Sequence, residues 1–295
     1  MPSSTPMSKS TIGILCGAGA AIFWALGFTA ARHGIDIGFS PADITFHRCV
    51  WGGLVLLPLF MRDSMADLNG VGWYRGIVMA ILSGPGISII CYSGFLLVPL
   101  AHAGLIQPSC AALFGILLAA IVLKEPVSSY RLLGALTIVG GLVVIGGEAI
   151  ASIGAYGIAG DLMFVVTGAF FATFGMLLRL WRVDAIRATV VVSVLSLILI
   201  PIQWAFVGFE RMMALGVWEN LLQAVAQGIL AGPAAIYLFT RSVVLIGASR
   251  AAVFPSLVPG ITLLVGYLAL GIVPSIPQLL GFAIVLMGFR LTQKS

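Results

Sequence analysis

Charge is scarce in this chain. Only 8% of its 295 residues are Asp, Glu, Lys or Arg, where a soluble domain carries roughly a quarter. With 60% hydrophobic residues and a mean hydropathy of +1.14, a conventional water-soluble fold is excluded. The apolar stretches also run to about 20 residues, too long for the strands of an outer-membrane barrel. Cysteine is sparse and unpatterned. Cys16, Cys49, Cys91 and Cys110 lie inside apolar runs without a CxxC spacing, and read as small buried hydrophobes rather than metal ligands or disulfides. Catalytic signatures are missing too. There is no Walker motif and no HExxH, and His33, His47 and His102 sit near run ends without forming a ligand cluster. Ser109 and Cys110 follow Pro108 with no histidine or carboxylate at helical spacing to activate them. Neither an enzyme nor a cofactor or metal is expected. Carboxylates are absent from the centres of the runs: Asp36, Asp43, Asp63, Asp67, Glu125, Glu148, Asp161, Asp184, Glu210 and Glu219 all fall near ends or in loops. Proton and sodium relays place an acid at mid-membrane, so movement down the substrate's own gradient is expected. The net charge of +5 is no nucleic-acid signal, because the basic residues stand at run ends.

What remains is a multi-pass membrane protein. Runs able to span a bilayer lie near 12–31, 42–61, 73–97, 101–123, 131–147, 157–179, 186–208, 219–243, 247–270 and 277–292. The fold class expected is an all-α integral membrane protein of ten transmembrane helices. Residues 1–10 form a polar cytoplasmic tail, 11–148 a first five-helix repeat and 149–295 a second, within one membrane domain. Lys9 ahead of an apolar run imitates a signal peptide. That run matches an internal segment, however, and is retained as a membrane helix.

The internal match can be followed residue by residue. Phe23-Trp24-Ala25 answers Phe170-Phe171-Ala172, and Arg32 answers Arg179, at a shift of 147. Pro108 answers Pro255, Gly134 answers Gly281 and Gly141 answers Gly288 at the same shift, and Gly84-Pro85 answers Gly232-Pro233 at 148. Five helices per half is an odd number, so the halves should enter the membrane with opposite orientation. With the N-terminus inside, 12 of the 15 Lys and Arg residues fall on the cytoplasmic side and only Arg32, Arg48 and Arg211 on the other. The bias also swaps between matching loops: Lys124 and Arg131 flank the fourth, Gly271 and Gln278 the ninth. An inverted repeat with both termini cytoplasmic is expected.

The two Gly-Pro pairs interrupt their runs at mid-length. Proline removes one N–H and clashes with the carbonyl four residues back, here Ile81 and Ile229. Such broken backbone survives in a membrane only inside protein or beside water, so Gly84, Pro85, Gly232 and Pro233 are candidate hinges facing a shared central cavity. Trp24 and its repeat partner Phe171 are either helix-packing aromatics or two walls of that cavity. Tyr92 and Tyr237 follow the breaks and need partners for their hydroxyls, as local hydrogen bonds or toward substrate. Gln107 beside Pro108 either bonds a neighbouring helix or holds a zwitterion without a fixed charge. Carbonyls freed at Pro85, Pro108, Pro233 and Pro255 are acceptors for an ammonium group. Gly134, Gly141, Gly281 and Gly288 read as close-packing positions. Arg48, about two turns into the second run, is expected to snorkel outward in preference to a substrate role, and no Lys or Arg is expected at mid-depth.

The pattern resembles the drug/metabolite transporter superfamily and, within it, the EamA-like ten-helix exporters, over nearly the whole chain from about Thr11 to Arg290. The residues that carry the resemblance are Phe23-Trp24-Ala25, the stretch from Ala103 to Pro108, Leu123-Lys124-Glu125-Pro126, and Gly134 to Gly141. The family's acidic turn recurs after the ninth helix, where this chain has Gly271-Ile272-Val273-Pro274 without the acid. Glu125 therefore reads as support for the following helix N-terminus. The resemblance implies a ten-helix basket around a cavity lined by helices 1, 3, 4, 6, 8 and 9. It implies alternating-access export of small metabolites from a bacterial cytoplasm across the inner membrane. The chain is most similar there to amino-acid exporters of the YddG type, and a neutral aromatic cavity suits aromatic and other neutral amino acids. Substrate-binding candidates are Trp24, Pro85, Tyr92, Gln107, Phe171, Tyr237 and Pro255. An efflux carrier of another substrate class and an uncoupled channel are the alternatives. Partners are a small-molecule substrate and the lipid bilayer, with no nucleic acid; a monomer is consistent with this, and the oligomeric state is left open.

Overall fold

A computed structural model describes residues 8–62, 67–98, 100–124, 126, 128–150, 157–270 and 273–292. Asp63, Glu125, Gly271, Ile272, Lys294, both termini and the tail before Ser8 lie outside the described residues. Among those described, every regular element is helical. The helices are α1 (Lys9–Ile37), α2 (Pro41–Arg62), α3 (Trp73–Gly94), α4 (Leu100–Ile121), α5 (Ser129–Ile150), α6 (Gly157–Leu180), α7 (Ala185–Val207), α8 (Val217–Ile246), α9 (248–270) and α10 (Ile276–Thr292). Each apolar run read from the sequence is helical over most of its described length. Among the described residues, seven helices are long and apolar enough to cross a membrane: α1, α2, α3, α6, α7, α8 and the Ala248–Val265 part of α9. The apolar stretches of α4, α5 and α10 are shorter.

Local chemistry sets the ends. The Ser8 hydroxyl accepts from the Thr11 amide to start α1, and the Asp184 carboxylate accepts from the Ile186 and Arg187 amides to start α7. Gly38 closes α1 at φ 115°, a left-handed cap that returns its amide to the Gly34 and Ile35 carbonyls. Both Gly-Pro pairs interrupt their helices. Gly84 (φ −108°, ψ −124°) separates Trp73–Ser83 from Pro85–Gly94, and Gly232 (φ −78°, ψ −113°) has nearly the same backbone. Around Gly232 the helix widens to π-type turns over Ala224–Ala234, which accommodates the amide that proline lacks. The other proline pair diverges. Pro108 stays within continuous α4, while Pro255 sits in a 3-10 turn, Phe254–Leu257, that divides α9.

Close packing runs through small residues. A Cβ placed at Gly134 would lie 2.7 Å from the Gly288 carbonyl oxygen, and one at Gly141 would lie 2.7 Å from that of Gly281. The two contacts are reciprocal, and they set α5 antiparallel to α10. Along α1, Gly13 meets Ile246, Gly27 meets Ala231 and Gly34 meets Gln223, so α1 runs antiparallel to α8. Large apolar side chains are left outside. At one end of the bundle stand Trp204, Phe206 and Trp218, and at the other Trp73, Tyr74 and Tyr130, as the aromatic belts of a membrane protein do.

Candidate substrate cavity

A cavity of about 260 Å³ opens among the helices. Its wall takes residues from α1 (Trp24, Phe28), α2 (Arg48), α3 (Ser83, Ile87, Ser88, Cys91, Tyr92), α4 (Gln107, Pro108), α6 (Phe171) and α8 (Ile236). From α9 come Pro255, Pro259 and Thr262, and from α10 Gln278. It extends from mid-helix toward the end of the bundle where α1 finishes and α2 begins. Toward the opposite end the helices close: Gly17 rests on the Phe254 ring, which is itself buried against Phe289 at 5.0 Å.

The aromatic side of the cavity is a cluster. Trp24 meets Phe171 edge-on with ring centres 5.1 Å apart and meets Phe239 at 5.5 Å, while Phe171 and Phe239 are 4.4 Å apart. Packing and cavity wall, the two alternatives for Trp24, coexist here: the ring is buried but lines the cavity. Phe239, absent from the sequence expectations, lies behind both rings and holds them. It stands two residues after Tyr237, in an apolar run where nothing local distinguishes it from a lipid-facing phenylalanine.

On the polar side, the Tyr92 hydroxyl donates to Gln227 Oε1 at 3.0 Å, and Gln227 Nε2 donates to the Gly27 carbonyl at 2.6 Å. One turn earlier on α8, Gln223 Nε2 donates to the Ala30 carbonyl at 2.7 Å. Both glutamines are fully buried. They clamp α1 to α8, and Gln227 carries that clamp to the cavity wall. The sequence reading passed over them, although two amides four residues apart in an apolar run mark a helix face turned into protein.

Of the expected site residues, the structure brings together Trp24, Tyr92, Gln107, Phe171 and Pro255. Pro85 stays at the break itself, with Ser83 and Ile87 on the cavity wall to either side. Tyr237 does not reach the cavity. Ile236 takes that place, and the Tyr237 hydroxyl accepts from Arg241 at 3.5 Å; one residue is a rotation of about 100° around a helix.

Arg48 corrects the sequence reading in the other direction. It does not snorkel outward but lines the cavity, and with Gly84, Gly232 and Pro233 it also lines a narrow cleft between the two helix breaks. Gly52, one turn further along α2, packs on Pro233 and the Gly228 carbonyl, so this face of α2 is the one turned into the bundle. The preceding residue is accounted for differently. The Trp51 indole donates to His47 Nδ1 at 2.9 Å, which leaves the His47 proton on Nε2 to donate to Asn220 Oδ1 at 3.1 Å. The Asn220 amide then donates to the Met212 and Gly216 carbonyls, completing a closed structural network.

The model of the EamA-like transporter family matches this chain twice, over residues 11–147 and 158–292. An uncharacterized transporter of Bacillus subtilis (strain 168), YyaM, is 25% identical over 284 residues, covering 92% of this chain and 90% of its own. A crystal structure described only as that of a protein superimposes with a TM-score of 0.71 at 20% identity, covering 97% of this chain and 99% of the other. That likeness concerns the fold.

Proposed function

The chain belongs to the EamA-like transporter family, a multi-pass membrane protein, and from that premise we propose that it exports small metabolites, aromatic and other neutral amino acids foremost, by alternating access. The carrying observation is a cavity lined from both family repeats and walled by Trp24 and Phe171, beside the narrow cleft between the Gly84 and Gly232 breaks. At about 260 Å³ it lies just below the usual range of drug-sized ligand pockets, roughly 300–1,000 Å³, which suits a metabolite better than a bulky drug. Residues 11–148 and 149–295 act as two five-helix halves of opposite orientation, ten spans in all, with both termini cytoplasmic in the bacterial inner membrane. The antiparallel seating of α5 on α10 supports this: exchanging the halves turns the Gly134–Gly288 contact into Gly281–Gly141. In that orientation the cavity faces outward and the Phe254 end is the closed inner gate. Transport is downhill, because among the described residues no acid stands at mid-depth to carry a coupling proton.

Purified protein in liposomes should exchange labelled L-phenylalanine with saturating kinetics. Flux rising linearly with concentration would indicate a channel. Accumulation driven by an imposed pH gradient would refute the downhill mechanism, and an external terminus found by accessibility labelling would refute the inversion.

A further inference from the structure

We infer that Arg48 is the counter-ion for a substrate carboxylate, so that the cavity accepts organic acids and amino-acid zwitterions and excludes amines. The inference deepens the transport reading above and rests on it. Arg48 stands about two turns into α2 and lines both the cavity and the cleft between the two breaks. Among the described residues, no Asp or Glu lines either space. The acid of α2, Asp43, is engaged elsewhere: it accepts from the Ser40 hydroxyl at 2.7 Å and from Gln203 at 2.9 Å, and pairs with Arg211 at 3.4 Å.

A cation kept inside a membrane bundle without an acidic partner is costly, and such groups belong to substrate paths. The cost here is one-sided. At the matching place in the second repeat, 147 residues on, stands Leu195, so the fold itself does not require the charge. Arg48 and Tyr92 line the same cavity, and the Tyr92 hydroxyl gives its proton to Gln227. The guanidinium offers five donors in the planar fork that a carboxylate accepts bidentately. The same charge repels an ammonium that brings no carboxylate of its own. A doubly charged phosphate is half-balanced by a single arginine and fits less well.

The test uses the full chain, purified in detergent, and three probes sharing one ring: L-phenylalanine, phenylpyruvate and phenethylamine. Thermal stabilisation is followed against probe concentration. The two acids should stabilise the protein and the amine should not. Arg48→Gln should weaken both acids about tenfold or more, as expected for loss of a charge-assisted bidentate contact. Arg48→Lys, which keeps the charge without the fork, should fall between. The inference is overturned if phenylpyruvate fails to bind the parental protein, if the amine binds it equally well, or if Arg48→Gln binds the acids unchanged. Should Arg48→Gln not fold, the parental ranking and Arg48→Lys decide. Flux in liposomes separates the two readings. Arg48-dependent binding without flux refutes transport alone, and saturable flux indifferent to Arg48 refutes the inference alone.

Discussion

Tyr92→Phe removes one oxygen atom and leaves the ring in place. Its consequence follows from where that oxygen points. Gln227 Oε1 receives the Tyr92 proton at 3.0 Å, and the Gln227 side chain is fully buried with its amide held by Gly27. After the substitution the acceptor has no donor. A bare buried acceptor costs about 1–3 kcal/mol, while interhelical bonds within membranes average about 0.6 kcal/mol net. The expected loss is therefore about 1–2 kcal/mol. Gln227→Leu should cost a similar amount, because it strands the Tyr92 hydroxyl and the Gly27 carbonyl. In the double variant the first of these stranded groups no longer exists. The two losses should then fall short of additivity by about 1 kcal/mol. Equilibrium unfolding in mixed micelles of the parent, both single variants and the double variant measures this. Additive losses, or a neutral Tyr92→Phe, would refute the coupling between cavity wall and α1–α8 clamp.

Four further outcomes are expected. Gln107→Ala should insert normally and lower transport per inserted protein. Trp24→Ala should lower both transport and stability, since Trp24 is packed on two rings and removing a buried aromatic costs roughly 3–5 kcal/mol; Trp24→Phe should affect transport alone. Pro85→Ala should restore a helical amide at the α3 break and slow turnover while leaving equilibrium binding near parental, read by comparing exchange rate with thermal stabilisation. Gly141→Val should abolish the folded species in size-exclusion chromatography, because its Cβ would sit 2.7 Å from the Gly281 carbonyl oxygen and 2.8 Å from the Val285 amide nitrogen.

Part of the cavity wall could be named from the sequence because its signals are local. Proline lacks an amide wherever it stands, so Gly84-Pro85 and Gly232-Pro233 announced breaks before any packing was known. Pro108 and Pro255 show the limit of that reasoning: equivalent in the repeat, one stays in continuous helix and the other sits in a 3-10 turn. Trp24 and Phe171 were linked by the repeat shift, which made their meeting at the cavity a reasonable expectation. Arg48 was misjudged because its stem is long enough to reach either outward or inward, and length alone does not choose.

The sequence by itself determined the solvent, the helical class and the repeat. These follow from composition, run length and a constant shift, none of which depends on how the helices turn. Tertiary structure decided the rotation of each helix about its own axis. That phase put Ile236 rather than Tyr237 on the cavity, turned Arg48 inward and aimed Gln223 and Gln227 at the carbonyls of α1. The physical reason is that neighbouring residues on a helix differ in direction by about 100°. In a run apolar on all sides, no polar stripe marks which direction is inside. Only the small-residue contacts between helices, Gly27 on Ala231 and Gly52 on Pro233 among them, set that angle.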